Sequence, residues 1–316
     1  MLIELPLETM SYDLLKQEGI IDGKTIPDHL KLYMNQANLS LKKLNALVEK
    51  ETLSEAKGHE FQALLVEACK RVICHPIVSN NRYLARFSAG VSFEQARHEV
   101  QQFSVFAVQF NVAQAQLIAN APTVEAYDER LKLLLNEEGV PYAHGFEGEL
   151  SGQWKNKTNH FTWLRHMATG LNLEFADIGK IWLALPGTKK FVESTLKYYA
   201  HIDPNISSGA SFGIENWAAN GLWKPWISGM YILNDSLDEP INLGYLMYHD
   251  KEEQHHSQAT IDELLENFLE PWFDSSRFLS GAEAILNDGI QVYYESQLDS
   301  CPGKDNSWPD TVVGVV

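Results

Sequence analysis

The stretch LGYLMYHDKEEQHHSQATIDELLENF, Leu243 to Phe268, has the apolar period of a single helix, and its middle is crowded with ionisable groups. His249, Glu253 and His256 are spaced i, i+4, i+7. At 3.6 residues per turn they fall within roughly 60° of arc, with Glu252 on the flank and His255 pointing away. Two imidazoles and a carboxylate on one stripe supply nitrogen and oxygen ligands at adjacent turns, a set suited to iron, manganese or zinc. The same residues would also make a solvated, charged helix face. The motif alone leaves both readings open.

One helix cannot close a metal site, so the partners must come from other helices. The chain has them in number. It holds 316 residues, 45% of them hydrophobic, enough for a sizeable core. Helical period dominates, and strict alternation is rare. Helices are expected over 26–73 (two, split near Thr52–Ser54), 92–122, 123–139, 159–171, 174–184, 188–202, 207–234, 241–269 and 273–296. Ser92 with Gln95 forms a capping box, and Thr123 and Gly139 bracket the next helix. The segment 140–158 reads as a long loop. The 207–234 helix is loosened at Asn220–Gly221 and at Pro225. The expected class is all-α: an N-terminal helical extension (1–70), a main helical domain (71–298) and an irregular tail (299–316).

The formal net charge is −17, a surface that repels phosphate backbones and anionic lipid, so neither nucleic acid nor membrane is expected as a partner. No apolar run approaches about 18 residues, and no signal peptide is apparent. Three cysteines, Cys69, Cys74 and Cys301, form no CxxC, and Cys69 and Cys74 read as small core residues. A reduced cytoplasm fits these features.

Carboxylates set in apolar helices are the natural partners for the stripe. Glu215 lies among Phe212, Ile214, Trp217 and Leu222, where an unpaired acid is costly to bury. Glu137 and Glu138 end a helix, where negative charge opposes the helix dipole. His160 and His166 lie on a helix bearing Trp, Leu and Met.

Taken in order, these pieces resemble the heme-oxygenase-like di-metal oxidases and oxygenases, relatives of the TenA thiaminase and PqqC folds and of the CADD-like iron-containing redox enzymes. The similarity covers roughly residues 75–270. CHPIVSNNRYLARFSAGVSFEQARHEVQQFSVF (74–106) is similar to the family's opening, LLLNEEG (133–139) to its first ligand segment, and HFTWLRHMATGLNLE (160–174) to its histidine helix, with Asn172 where the family usually has glycine. FGIENW (212–217) is similar to the helix with the next acid, and HDKEEQHH (249–256) to the closing motif, with Glu253 for the usual Asp.

The resemblance implies a heme-oxygenase-like helical bundle. It also implies a ligand set of Glu137, His160, Glu215, His249, Glu253 and His256 for two Fe(II), with Glu137, Glu215 and Glu253 in the catalytic role and O2 as cosubstrate. Tyr248, Asp250, Glu252 and His255 are candidates for orienting the ligands. Phe103, Phe106, Phe110, Trp217 and Tyr245 are the candidate substrate-pocket residues, with core packing the competing role. The longer interval before His160 makes His144 a rival ligand. Many relatives carry a further acid near Gln102 and Gln109, for which Glu99 is the nearest substitute.

The implied activity is an O2-dependent oxidation of a small amine or amino-acid-derived metabolite in specialised metabolism: N-oxygenation, desaturation or C–C cleavage. An external electron donor and a homodimer are the implied partners. Two alternatives remain, a TenA- or PqqC-like metal-independent enzyme and a non-catalytic helical binding protein. A thiaminase would need a nucleophilic cysteine near the ligand segments, and none of the three cysteines lies there.

Overall fold

The computed structural model describes residues 10–22, 25–139 and 159–313. Among them the chain is all-α, and its only β pairing is an isolated bridge between Asn81 and Val313. No helix among the described residues is long and apolar enough to cross a membrane. The rival ligand His144, with the whole 140–158 segment, lies outside the described residues.

After a short α1 (Tyr12–Gln17), α2 (Asp28–Glu49) and α3 (Glu55–Ala68) form the expected N-terminal pair. They do not make a separate core. Buried residues from Met10 to Val312 form one continuous apolar cluster, and polar contacts tie α2 to the motif helix. Gln36 Nε2 donates to the Gln254 carbonyl at 2.9 Å and its Oε1 accepts from Ser257 at 2.7 Å. The short α4 (Pro76–Ser79) and α5 (Arg82–Ser88) lead into α6 (Phe93–Ala119), which opens with the capping box of Ser92 and Gln95.

Four elements carry the stripe and its partners. They are α7 (Val124–Glu137), α8 (His160–Gly170), α10 (Pro204–Trp217) and the motif helix α12 (Gly244–Leu269); α9 (Pro186–Tyr198) separates α8 from α10. Helix α10 runs through a π-helical turn, Ala218–Leu222, into α11 (Trp223–Asn234). This is the locally loosened region expected around Asn220–Gly221 and Pro225. Another π turn, Leu286–Gln291, joins α13 (Ser275–Ile285) to α14 (Val292–Ser300).

Close backbone approach sets α10 against α13. A Cβ at Gly209 would lie 1.9 Å from the Phe278 carbonyl oxygen, and one at Gly281 would lie 2.3 Å from that of Ile206. Only hydrogen fits there, and the contact fixes the axial position of Glu215.

The helix expected at 174–184 does not form. Two short 3₁₀ turns, Phe175–Asp177 and Ile181–Leu183, flank Gly179, whose φ of +68° ends helical propagation. Its N–H donates to Ser104 Oγ at 2.9 Å, and a Cβ there would meet Val108 at 2.8 Å. Packing of this backbone onto α6 overrides the local helical pattern. After α14 the tail folds back on the body. Arg82 N–H donates to the Val312 carbonyl at 2.9 Å, and Trp308 is buried against Tyr83.

Candidate metal centre

The six residues assigned as ligands come together as two buried groups. Glu137, His160 and His249 form one, and Glu215, Glu253 and His256 form the other. Within each group one ligand atom per residue lies within 4.8 Å of the others. Two ligands of one ion with bonds of about 2.1 Å stand about 3 to 4.2 Å apart, so each group needs only slight contraction to hold one. The motif helix serves both groups. His249 belongs to the first, and Glu253 and His256, a turn or more along, belong to the second.

Local structure explains each placement. His160 is the first residue of α8, and Asn159 caps that helix by accepting from Thr162 N–H at 3.0 Å. Glu137 is the last residue of α7, where the dipole disfavours a carboxylate. His160 supplies the compensation, its Nδ1 lying 2.7 Å from Glu137 Oε2. Glu215 sits two residues beyond Gly213, about 200° round the helix, so that while Gly213 contacts α13 the acid faces α12. The π turn begins three residues later, a feature frequent at functional sites.

The electrostatics are those of a cation site. Burial opposes ionisation of Glu137, but contact with His160 and then the His249 and His256 imidazoles hold it below its ordinary range. Burial, then the Glu253 carboxylate, push Glu215 well above the carboxylate range. Burial depresses His249, keeping it neutral, the form that ligates. His256 also loses solvation, but the close carboxylate of Glu253, then that of Glu215, raise it to about 9. Without an ion, the second group therefore holds protons where a metal would supply positive charge.

Three observations test whether a metal fits. His160 Nδ1 is buried and has no aligned hydrogen-bond partner, although Glu137 Oε2 is only 2.7 Å away. Glu253 Oε2 is likewise buried without a hydrogen bond, and His256 Nδ1 lies 3.4 Å from it and 3.7 Å from Glu215 Oε2. Close, misaligned lone-pair atoms are what ligands converging on a common point present. Finally, His249 Nδ1 lies 2.7 Å from the Tyr245 carbonyl. That contact assigns the proton to Nδ1, leaves Nε2 as the ligand, and is the usual outer support of a metal-bound histidine. The residues fit two ions, and the mixed nitrogen and oxygen donors favour a first-row transition metal over magnesium or calcium.

Aromatic rings surround the first group. Trp223 lies 4.8 Å and Tyr245 4.2 Å from His249 by ring centroids, and Trp163 and Tyr248 lie 5.5 and 4.8 Å from His160. Tyr248 also donates to Asn136 at 3.3 Å. Trp163, Trp223 and Asn136 were not singled out in the sequence. Their only signal was an aromatic or amide near a ligand. His255 and His166 are exposed, away from both groups.

A small cleft reaches Glu137 and His160. It is bordered by Asn111, Glu138, Phe161 and Tyr245 and has room for about 20 Å³, little more than one water. Of the five candidate substrate-pocket residues, Tyr245 borders it, and Phe110 packs on Tyr199 at 5.0 Å. Phe103, Phe106 and Trp217 lie instead in the packed aromatic core. Phe106 stacks on Phe191 at 4.0 Å, Phe103 meets Trp226 at 4.8 Å, and Trp217 meets Phe191 at 5.9 Å.

Glu99 and Gln102 are committed elsewhere. Glu99 is buried and accepts from Tyr83 at 2.6 Å, Tyr293 at 2.9 Å and Gln297 at 2.9 Å. Gln102 bridges the Leu183 carbonyl, the Leu185 N–H and the Thr188 hydroxyl. Neither joins the ligand groups.

Comparison with protein-family models and with curated proteins returns no match.

Proposed function

We propose that the chain is a non-heme di-iron oxidase or oxygenase of heme-oxygenase-like architecture. It uses O2 and an external electron donor to oxidise a small amine or amino-acid-derived metabolite. The observation that carries this reading is the convergence of six separately assigned residues into two buried three-ligand groups sharing α12. A second observation supports the architecture. Asn172, at the position where that family usually has glycine, has a φ of +54°, the left-handed conformation that glycine adopts freely and asparagine tolerates.

Glu137, His160 and His249 would hold one iron, and Glu215, Glu253 and His256 the other. When bound, the reduced irons supply electrons for activating O2. The chain does the rest. Three carboxylates offset most of the metal charge, and the Tyr245 carbonyl fixes the His249 ring. Trp163, Trp223 and Tyr248 wall the imidazoles from water. Glu215, whose carboxyl is held protonated by burial and by Glu253, would give up that proton to hold an ion. The small cleft marks the side on which Glu137 and His160 are reached from outside, and its acids Glu137 and Glu138 would favour approach of a cationic group over an anionic one.

The cysteines weigh against a thiaminase reading, since none belongs to the ligand groups or borders the cleft. A purely structural role would leave the misaligned, unsatisfied atoms of His160 and Glu253 without a reason.

The test is anaerobic loading with Fe(II), metal analysis, then an O2 pulse followed by visible absorption. Two irons per chain and a transient band, both lost in His256→Ala, are expected. No iron uptake overturns the proposal.

A further inference from the structure

Glu99 is a buried acid that the metal centre does not use. Three donors converge on it, and two of them are tyrosine hydroxyls, Tyr83 and Tyr293. Tyrosine cannot lose an electron at accessible potential unless its proton has somewhere to go. A carboxylate 2.6 Å from the Tyr83 oxygen, inside a dry core, is such a place.

Tyr83 also stands at the end of a line of rings that starts at a ligand. Trp223 lies 4.8 Å from His249, and Trp226 stacks on Trp223 at 6.0 Å and 17° between planes. Phe87 bridges onward, 6.4 Å from Trp226 and 6.3 Å from Tyr83. Trp308 follows, 5.5 Å from Tyr83, with the Arg86 guanidinium 4.9 Å over its ring.

The proton chemistry differs along this line. The indole N–H groups of Trp223 and Trp226 are buried with no hydrogen-bond partner. An oxidised indole there keeps its proton, stays a strong oxidant and passes the hole on. Tyr83 has an acceptor, so oxidation there is accompanied by proton loss and the hole is trapped.

We propose that Tyr83 and Glu99 form a redox-active tyrosine site, linked through Trp226 and Trp223 to the ligand His249. Tyr83 loses one electron and its hydroxyl proton. The proton binds Glu99, and the electron passes along Trp226 and Trp223 to an oxidised metal centre, which is reduced by one electron. A soluble one-electron reductant of the thiol or ascorbate class, acting at the Trp308 end, restores the tyrosine as Glu99 returns the proton. The site supplies or drains single electrons, so that an oxidant formed without substrate is quenched away from the ligands. The inner end of this route rests on the metal reading above, whereas the tyrosine–carboxylate pair does not.

The experiment therefore has two arms. In the first, metal-free protein is oxidised by photogenerated ruthenium(III) tris-bipyridine and freeze-quenched for electron paramagnetic resonance. Wild type should give a neutral tyrosyl radical. Tyr83→Phe should lose at least half of it, and the exposed Tyr231→Phe should lose none. Glu99→Gln, close in shape but a poor proton acceptor, should slow radical formation at least tenfold. An unchanged yield and rate in both Tyr83→Phe and Glu99→Gln overturns the inference. No metal is present, so failure of iron to bind cannot alter this result.

In the second arm, Fe(II)-loaded protein receives O2 without substrate, with iron content measured separately. The same radical should appear in wild type and fall at least fivefold in Trp223→Phe at equal iron content. Equal radical in that variant, or none in iron-replete wild type, overturns the route to the metal.

Discussion

Buried His160 Nδ1 stands 2.7 Å from Glu137 Oε2 yet makes no aligned hydrogen bond. Glu137 ends α7 and His160 opens α8, so the two helix ends bring the atoms together without satisfying the imidazole nitrogen. A cation held by both side chains would satisfy it. The same holds one turn along α12 at Glu253.

The three-plus-three division predicts metal stoichiometry. Glu137→Ala should leave one ion per chain by removing a ligand from the first group only. Glu215→Ala should do the same through the second. The double variant should bind none. Metal analysis after anaerobic loading and desalting measures all three. Loss of both ions in each single variant would show that the groups bind as one unit.

Much of this centre was legible in the sequence, and for a physical reason. The helical repeat fixes direction, so His249, Glu253 and His256 had to share a face. What the repeat did not reveal is that His249 works with α7 and α8 while the other two work with α10. That division comes from the rise along α12 and from where the other helices cross it. Glu215 was legible as an acid among aromatics. Glu137 and His160 were recognisable by motif order but not by periodicity, since 22 residues separate them. Glu99 was misleading. It precedes Gln102 by one turn on the same helix, but its donors Tyr293 and Gln297 lie almost 200 positions away, beyond any local pattern. The missing helix at 174–184 failed similarly, because the contact of Gly179 with Val108 is tertiary.

Glu215 is expected to be a functional residue that costs stability. Its folded-state carboxyl is held well above the ordinary range, by burial and then by Glu253. A carboxyl shifted that way binds its proton more tightly folded than unfolded, so it lowers stability increasingly as pH rises above its unfolded value. Glu215→Gln keeps the shape and removes the penalty. Metal-free Glu215→Gln should unfold at a higher urea midpoint than wild type at pH 7.5 and should gain less from added Fe(II). A lower midpoint would falsify this account.

His256 gives the opposite sign. Its folded value is raised to about 9 by Glu253 and Glu215 in spite of burial. The stabilisation is fully present below the unfolded value of about 6.5 and is lost as pH rises through about 9. At roughly 1.4 kcal/mol per unit, the loss is on the order of 3 kcal/mol. Metal-free protein should therefore weaken between pH 6.5 and 9.5 in urea titrations, and His256→Gln should be flatter over that window. Metal binding must displace the same proton, so stabilisation by Fe(II) should grow across the same interval. A metal increment independent of pH would exclude His256 as a ligand.

The last prediction concerns the packing that places Glu215. In an isolated helix Gly209→Ala gains up to about 1 kcal/mol from propensity. Here the new Cβ would stand 1.9 Å from the Phe278 carbonyl oxygen and 2.8 Å from its carbon. Both are backbone atoms of α13, with no flexible side chain to yield. Overpacking of this kind costs about 1–3 kcal/mol or more, so it outweighs the propensity gain. The helices must separate, and α10 carries Glu215 away from Glu253 and His256. Gly209→Ala should lower the unfolding midpoint and weaken the second ion's affinity. Binding to Glu137, His160 and His249, which α10 does not carry, should change little. Calorimetric titration with Fe(II) or Mn(II) under argon would resolve the two events. Equal weakening at both groups would mean that the α10–α13 contact supports the whole bundle and not the position of Glu215 in particular.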